Sequence, residues 1–111
     1  MEITELRDGD IVTIGLKGRL DGTTSKGVED RMLEIIDAGG RRLILDLAQL
    51  DYISSVGLRI FMMAAKRLKT LDGRIVVCAL QPTVAEVFEI AGFTTIFTIF
   101  DSRDAAATGV R

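Results

Sequence analysis

The spacing of apolar residues changes several times along the chain, and each change marks an element. Val12, Ile14 and Leu16 alternate with Thr13, Gly15 and Lys17, a two-residue period that predicts a strand with one buried face. Ile3 to Leu6 forms a similar run ahead of it. Arg7-Asp8-Gly9-Asp10 lies between the two, and its Asp-Gly pair suits a tight turn, so residues 2–18 read as a hairpin. The period then lengthens. Val28, Met32, Ile35 and Ile36 recur at i, i+4, i+7 and i+8, as on one stripe of a helix. Thr24 and Ser25 are placed to cap the free N–H groups of that helix, and Gly39-Gly40 to end it. Arg42 to Leu47 is rich in β-formers and too short for a helix, which predicts a central strand.

Residues 55–71 form the second predicted helix. Leu58, Ile60, Phe61, Met62, Met63, Ala64, Ala65, Leu68 and Leu71 make it apolar around much of its circumference, so it must be covered on more than one side. Arg59, Lys66, Arg67 and Lys69 mark what remains of its solvent face. Asp72-Gly73 turns the chain into a strand over Arg74 to Leu80. Pro82 opens a third helix, with Val84, Val87, Phe88 and Ala91 on its stripe and Gly92 at its end. Thr95 to Phe100 predicts a last strand, and Asp101-Ser102 caps a short Ala-rich helix that frays near Gly109.

The order ββαβαβαβα predicts an α/β fold with right-handed crossovers: a mixed, mostly parallel sheet of about five strands, an antiparallel N-terminal hairpin and about four helices. At 111 residues the chain has material for one core, so residues 1–111 are expected to form a single domain. Its 48% hydrophobic and 27% charged residues fit a folded protein, and no linker, repeat or low-complexity tract interrupts them.

Charge and residue usage narrow the function. Fourteen Lys and Arg against 16 Asp and Glu leave a net charge of −2, which argues against direct nucleic-acid binding. Met1-Glu2-Ile3-Thr4-Glu5 lacks the basic start and apolar run of a signal peptide, and the longest apolar stretches, such as Ile75 to Leu80, have strand length. A cytoplasmic protein without membrane insertion is expected. The single cysteine precludes an internal disulfide, and Cys78 reads as a small core residue. The absence of His excludes Ser-His-Asp and Cys-His nucleophile systems and His-ligated metal sites. Neither a phosphate-cradling Gly-rich loop nor a C-x-x-C motif is present, so no cofactor is expected. Asp21, Asp46 and Asp51 stand at strand ends, where they form turns or caps more often than they hold a divalent cation, and no metal site is expected.

The informative stretch is Asp51-Tyr52-Ile53-Ser54-Ser55-Val56-Gly57-Leu58-Arg59, which leads from a buried strand into the most apolar helix. Capping alone accounts for serines at a helix start. A hydroxyl on that first turn is also a place where the fold tolerates a phosphate, because free N–H donors and the positive end of the helix dipole meet it there.

Four segments resemble the successive blocks of a STAS domain, most closely those of the bacterial anti-sigma factor antagonists. They are Gly18-Arg19-Leu20-Asp21, Leu43-Ile44-Leu45-Asp46-Leu47, Tyr52-Ile53-Ser54-Ser55-Val56-Gly57-Leu58 and Gly73-Arg74-Ile75-Val76-Val77-Cys78. The resemblance implies a non-enzymatic regulator whose partner is both a serine kinase and an anti-sigma factor, with a serine phosphatase to reset it. It implies Ser55 as the phosphoacceptor, with Ser54 as the alternative. The chain departs from the family's pattern at Ser54, where the antagonists usually carry Asp. The resemblance also places Asp21, Thr23, Ser54, Val56, Gly57, Leu58 and Arg59 on the partner-facing surface. Two other readings remain at this stage: a non-phosphorylated STAS scaffold of a transporter or signalling assembly, and a small hydrolase using Ser54 or Ser55, for which no neighbouring Lys offers a base.

Overall fold

The computed structural model describes residues 1–111. The chain runs β1 (Glu2–Asp8), β2 (Ile11–Leu20), α1 (Ser25–Asp37), β3 (Arg42–Ile53), α2 (Ser55–Thr70), β4 (Arg74–Cys78), α3 (Pro82–Ile90), a 3-10 turn (Phe93–Thr95), β5 (Ile99–Phe100) and α4 (Arg103–Gly109). The five strands lie in sequence order in one sheet. β1 pairs antiparallel with β2, and the other three pairings are parallel. The predicted α/β class, the opening hairpin and four helices are all present.

Two apolar clusters sandwich the sheet. The larger one joins Val12, Ile14 and Leu16 of β2 and Leu43, Leu45 and Leu47 of β3 to α1, α2 and α3. Phe88 of α3 sits near its centre, with ring centroids 6.3 Å from Phe61 and 5.5 Å from Phe93. Each fully buried side chain of this size stabilises the fold by roughly 1.5–3 kcal/mol relative to exposure. The smaller cluster lies on the other face, where Ile11, Ile44, Val76 and Cys78 pack against Ala106 and Val110 at the chain's end.

That second cluster corrects one expectation. β2 is not buried on one face only: Ile11 and Thr13 are buried along with Val12 and Ile14. The returning C-terminal helix covers the second face, a long-range contact invisible in local periodicity. Arg103 fixes this helix, donating to Asp46 Oδ2 from Nε at 3.0 Å and from Nη2 at 2.5 Å.

Strand lengths differ from the sequence reading in three places. β3 continues six residues beyond Leu47 to Ile53, paired to a β2 that extends to Leu20 across register shifts at Gly15/Lys17 and Gly18/Arg19. β4 stops at Cys78, because Ala79 takes a left-handed conformation (φ 59°) that leaves the ladder. The predicted last strand shrinks to Ile99–Phe100, since Phe93 and Phe97 turn inward and stack at 5.5 Å. No helix is long and apolar enough to cross a membrane.

Candidate functional site at the start of the second helix

The extensions of β2 and β3 assemble the site. Their last paired residues are Arg19 with Tyr52 and Leu20 with Ile53. The next residues, Asp21 and Ser54, therefore leave the sheet side by side. The Ser54 amide donates to the Leu20 carbonyl at 2.9 Å, which ties the start of α2 to the loop after β2. Gly57, on the first turn, places its bare Cα against Leu20 and Ile53. Leu58 is buried beside it, and both residues seat the helix on the sheet.

The two serines have different environments. Ser54 is the helix N-cap, and its Oγ accepts the Gly57 N–H at 3.3 Å. It is half-buried. Ser55 is the first helical residue, is exposed, and its hydroxyl makes no hydrogen bond within the chain. Neither hydroxyl is hydrogen-bonded to a basic side chain that would activate it as a nucleophile.

Asp21 organises the adjoining loop. Its Oδ1 accepts the Thr23 N–H at 2.9 Å and the Thr23 hydroxyl at 2.7 Å. These bonds, the hydroxyl's first, hold the carboxyl below the usual carboxylate range, helped by Arg19 at 4.0 Å. Thr24, expected to cap α1, instead accepts the Asp21 N–H at 3.0 Å and donates to the Arg19 carbonyl at 2.8 Å. The α1 N-terminus has no side-chain cap. The loop thus takes the hydroxyl that periodicity assigned to the helix.

A shallow groove of about 250 Å³ runs between the first turns of α1 and α2, lined by Ser25, Lys26, Glu29, Val56, Arg59, Ile60 and Met63. It brings Val56 and Arg59 together with Ser25, expected only as a cap, and with Lys26 and Glu29, which have no part in the sequence-based site. Lys26 is already committed: it lies 2.9 Å from Asp30 and 3.7 Å from Glu29, and Asp30 chiefly raises its pKa. Its spacing to these acids at i+3 and i+4 was the available signal. The guanidinium of Arg19 covers the exposed Tyr52 ring at 4.2 Å, a second feature beside the site that was not anticipated.

A larger cleft of about 360 Å³, lined by residues including Glu2, Lys17, Asp46, Gln49 and Arg103, contains none of the predicted site residues. The three carboxylates considered for a cation are engaged separately. Asp46 binds Arg103, Asp21 binds Thr23, and Asp51 Oδ1 accepts from Gln81 Nε2 at 3.4 Å.

A STAS-domain family profile matches residues 3–106. The chain belongs to the STAS domain family. Among its relatives is BtrV of Bordetella bronchiseptica, provisionally named an anti-sigma factor antagonist, which is 44% identical over 96 residues, covering 86% of this chain and 83% of BtrV. The anti-sigma-B factor antagonist of Listeria monocytogenes is 31% identical over 99 residues, covering 89% and 86% of the two chains. Among solved structures, the Bacillus cell fate determinant SpoIIAA in its phosphorylated form superposes with a TM-score of 0.77 at 20% identity, covering 99% of this STAS domain and all of that chain. The latter likeness concerns the fold. The two sequence relatives carry the name of anti-sigma factor antagonist.

Proposed function

We propose that this STAS domain, acting as a single unit over residues 1–111, is a cytoplasmic anti-sigma factor antagonist controlled by phosphorylation at Ser55. Unmodified, the surface around Asp21, Thr23, Val56 and Arg59 docks on a partner that is both serine kinase and anti-sigma factor, and a sigma factor is released. The partner then transfers the γ-phosphoryl group of ATP to Ser55 Oγ. The hydroxyl proton passes to a base on the kinase, and ADP leaves. A serine phosphatase returns the hydroxyl by hydrolysis, with water as the nucleophile and inorganic phosphate as the product.

The contrast between the two serines carries this reading. The Ser54 oxygen already serves the Gly57 amide, whereas the Ser55 oxygen is exposed and uncommitted. Modification at Ser55 leaves the cap in place. A phosphate there carries about −1.5 to −2 charges and meets the free N–H groups of the first turn, worth roughly 0.3–2 kcal/mol. The modified domain therefore stays folded. Burying the same dianion against a partner lacking a matching cation weakens the complex, and each 1.4 kcal/mol is about tenfold in affinity.

The test is to incubate the protein with ATP and the kinase recovered on the unmodified chain, then map the modified residue by mass spectrometry. One phosphoryl group on Ser55, lost in Ser55→Ala, is expected. Absence of phosphate overturns the proposal and favours a fixed scaffold, and phosphate at another residue overturns the assignment of Ser55.

A further inference from the structure

Resting on the reading of Ser55 as phosphoacceptor, we propose that Arg59 is the built-in counter-ion of the phosphorylated state, pairing with the Ser55 phosphate along the face of α2.

The spacing supplies the first argument. Ser55 and Arg59 stand at i and i+4 of one helix, where side chains are neighbours with Cβ atoms about 6 Å apart. The order is the favourable one, with the anion N-terminal to the cation, and the guanidinium fork matches phosphate oxygens in a bidentate fashion. Both residues are exposed.

Availability supplies the second. The nearby cations other than Arg59 are occupied. Lys26 is held by Asp30 and Glu29, and Arg19 lies over Tyr52 and beside Asp21. Arg59 takes part in no ion pair, hydrogen bond or aromatic contact, although it borders the groove between α1 and α2. Glu29, which lines the same groove, pairs with Lys26, and Asp21 accepts from Thr23. A phosphate on Ser55 thus introduces an anion beside an unpaired guanidinium.

Phosphorylation then acts twice on the partner-facing surface. It replaces a small hydroxyl by a dianion, and it draws Arg59 away from the groove where the unmodified protein offers it. The cis pair also offsets part of the phosphate's charge at the helix start, with a shift of the Arg59 side chain alone.

The experiment uses the full chain with phosphoserine installed at position 55 during synthesis, titrated by phosphorus NMR at low ionic strength, where surface pairs are least screened. Arg59 favours the dianion, so Arg59→Gln is expected to raise the phosphate's second ionisation midpoint by about 0.3–0.5 pH units, a two- to threefold change in proton affinity. Lys66→Gln, which removes an exposed cation about three turns along α2 from Ser55, is expected to leave it in place. An unchanged midpoint in Arg59→Gln, or an equal rise in Lys66→Gln, overturns the pairing. Because the phosphate is installed without a kinase, this outcome is separate from whether any kinase modifies Ser55.

Discussion

A Cβ built on Gly57 would stand 2.8 Å from Leu20 Cγ and 2.9 Å from Ile53 Cγ1, so the first turn of α2 touches the sheet through a glycine with no space left over. Leu20 and Ile53 are themselves buried in the main core and are not free to move aside. The site is therefore fixed to the rigid part of the molecule, at the ends of two paired strands.

Gly57→Ala is expected to destabilise the protein. Overpacking a filled site costs roughly 1–3 kcal/mol, and contacts under 3 Å to two buried side chains place it at about 2–3 kcal/mol, of which the better helix propensity of Ala returns at most about 1 kcal/mol. A net loss of about 1–2 kcal/mol lowers the urea midpoint. An unchanged or higher midpoint contradicts the close packing.

Much of this arrangement is legible in the sequence, and the exceptions have physical causes. The helices follow from stripes such as Val28, Met32, Ile35 and Ile36, all of which are buried. The second half of β3 escapes such reading because exposed pairs, Ala48-Gln49 and Asp51-Tyr52, separate buried Leu47, Leu50 and Ile53, breaking strict alternation. The β2–β3 register shifts lie just ahead of and within this stretch. The expected last strand, Thr95 to Phe100, is longer than the observed one because Phe97 looks like a β-former but serves the aromatic cluster around Phe88. At the site, family resemblance singled out Asp21 and Ser55. Their placement at neighbouring strand ends depends on the pairing of Leu20 with Ile53, and no local pattern encodes that. The Arg19–Tyr52 contact follows from the same register.

The two serines are expected to separate stability from modification. Ser54→Ala removes the cap to Gly57 and should cost about 1 kcal/mol while leaving Ser55 open to the kinase. Ser55→Ala should change stability by less than about 0.5 kcal/mol and abolish phosphorylation. Chemical denaturation of the two variants checks the ranking, and the opposite order contradicts the assignment of cap and acceptor.

Cys78 reports on the C-terminal helix. Burial foremost, with the Asp46 carboxylate adding to it, pushes its thiol up to about 11. Alkylation of the native protein at pH 8 should be at least about 100-fold slower than in denaturant. Arg103→Ala, which frees α4 from Asp46, should speed it by uncovering the thiol, an effect that outweighs the rise in thiol pKa from losing the Arg103 charge. The sign of the pH dependence also follows. The native state keeps the proton that the unfolded chain releases near 9, so this group withdraws stability as pH rises from about 9 to 11. Fast alkylation of the folded protein contradicts the placement of α4 over β4.

The switch itself is tested most directly by calorimetric affinity for the kinase/anti-sigma partner, comparing the unmodified chain with one carrying phosphoserine at position 55. Tight binding is expected for the first and a loss of at least about 100-fold for the second, equivalent to about 2.7 kcal/mol. Equal affinities contradict it.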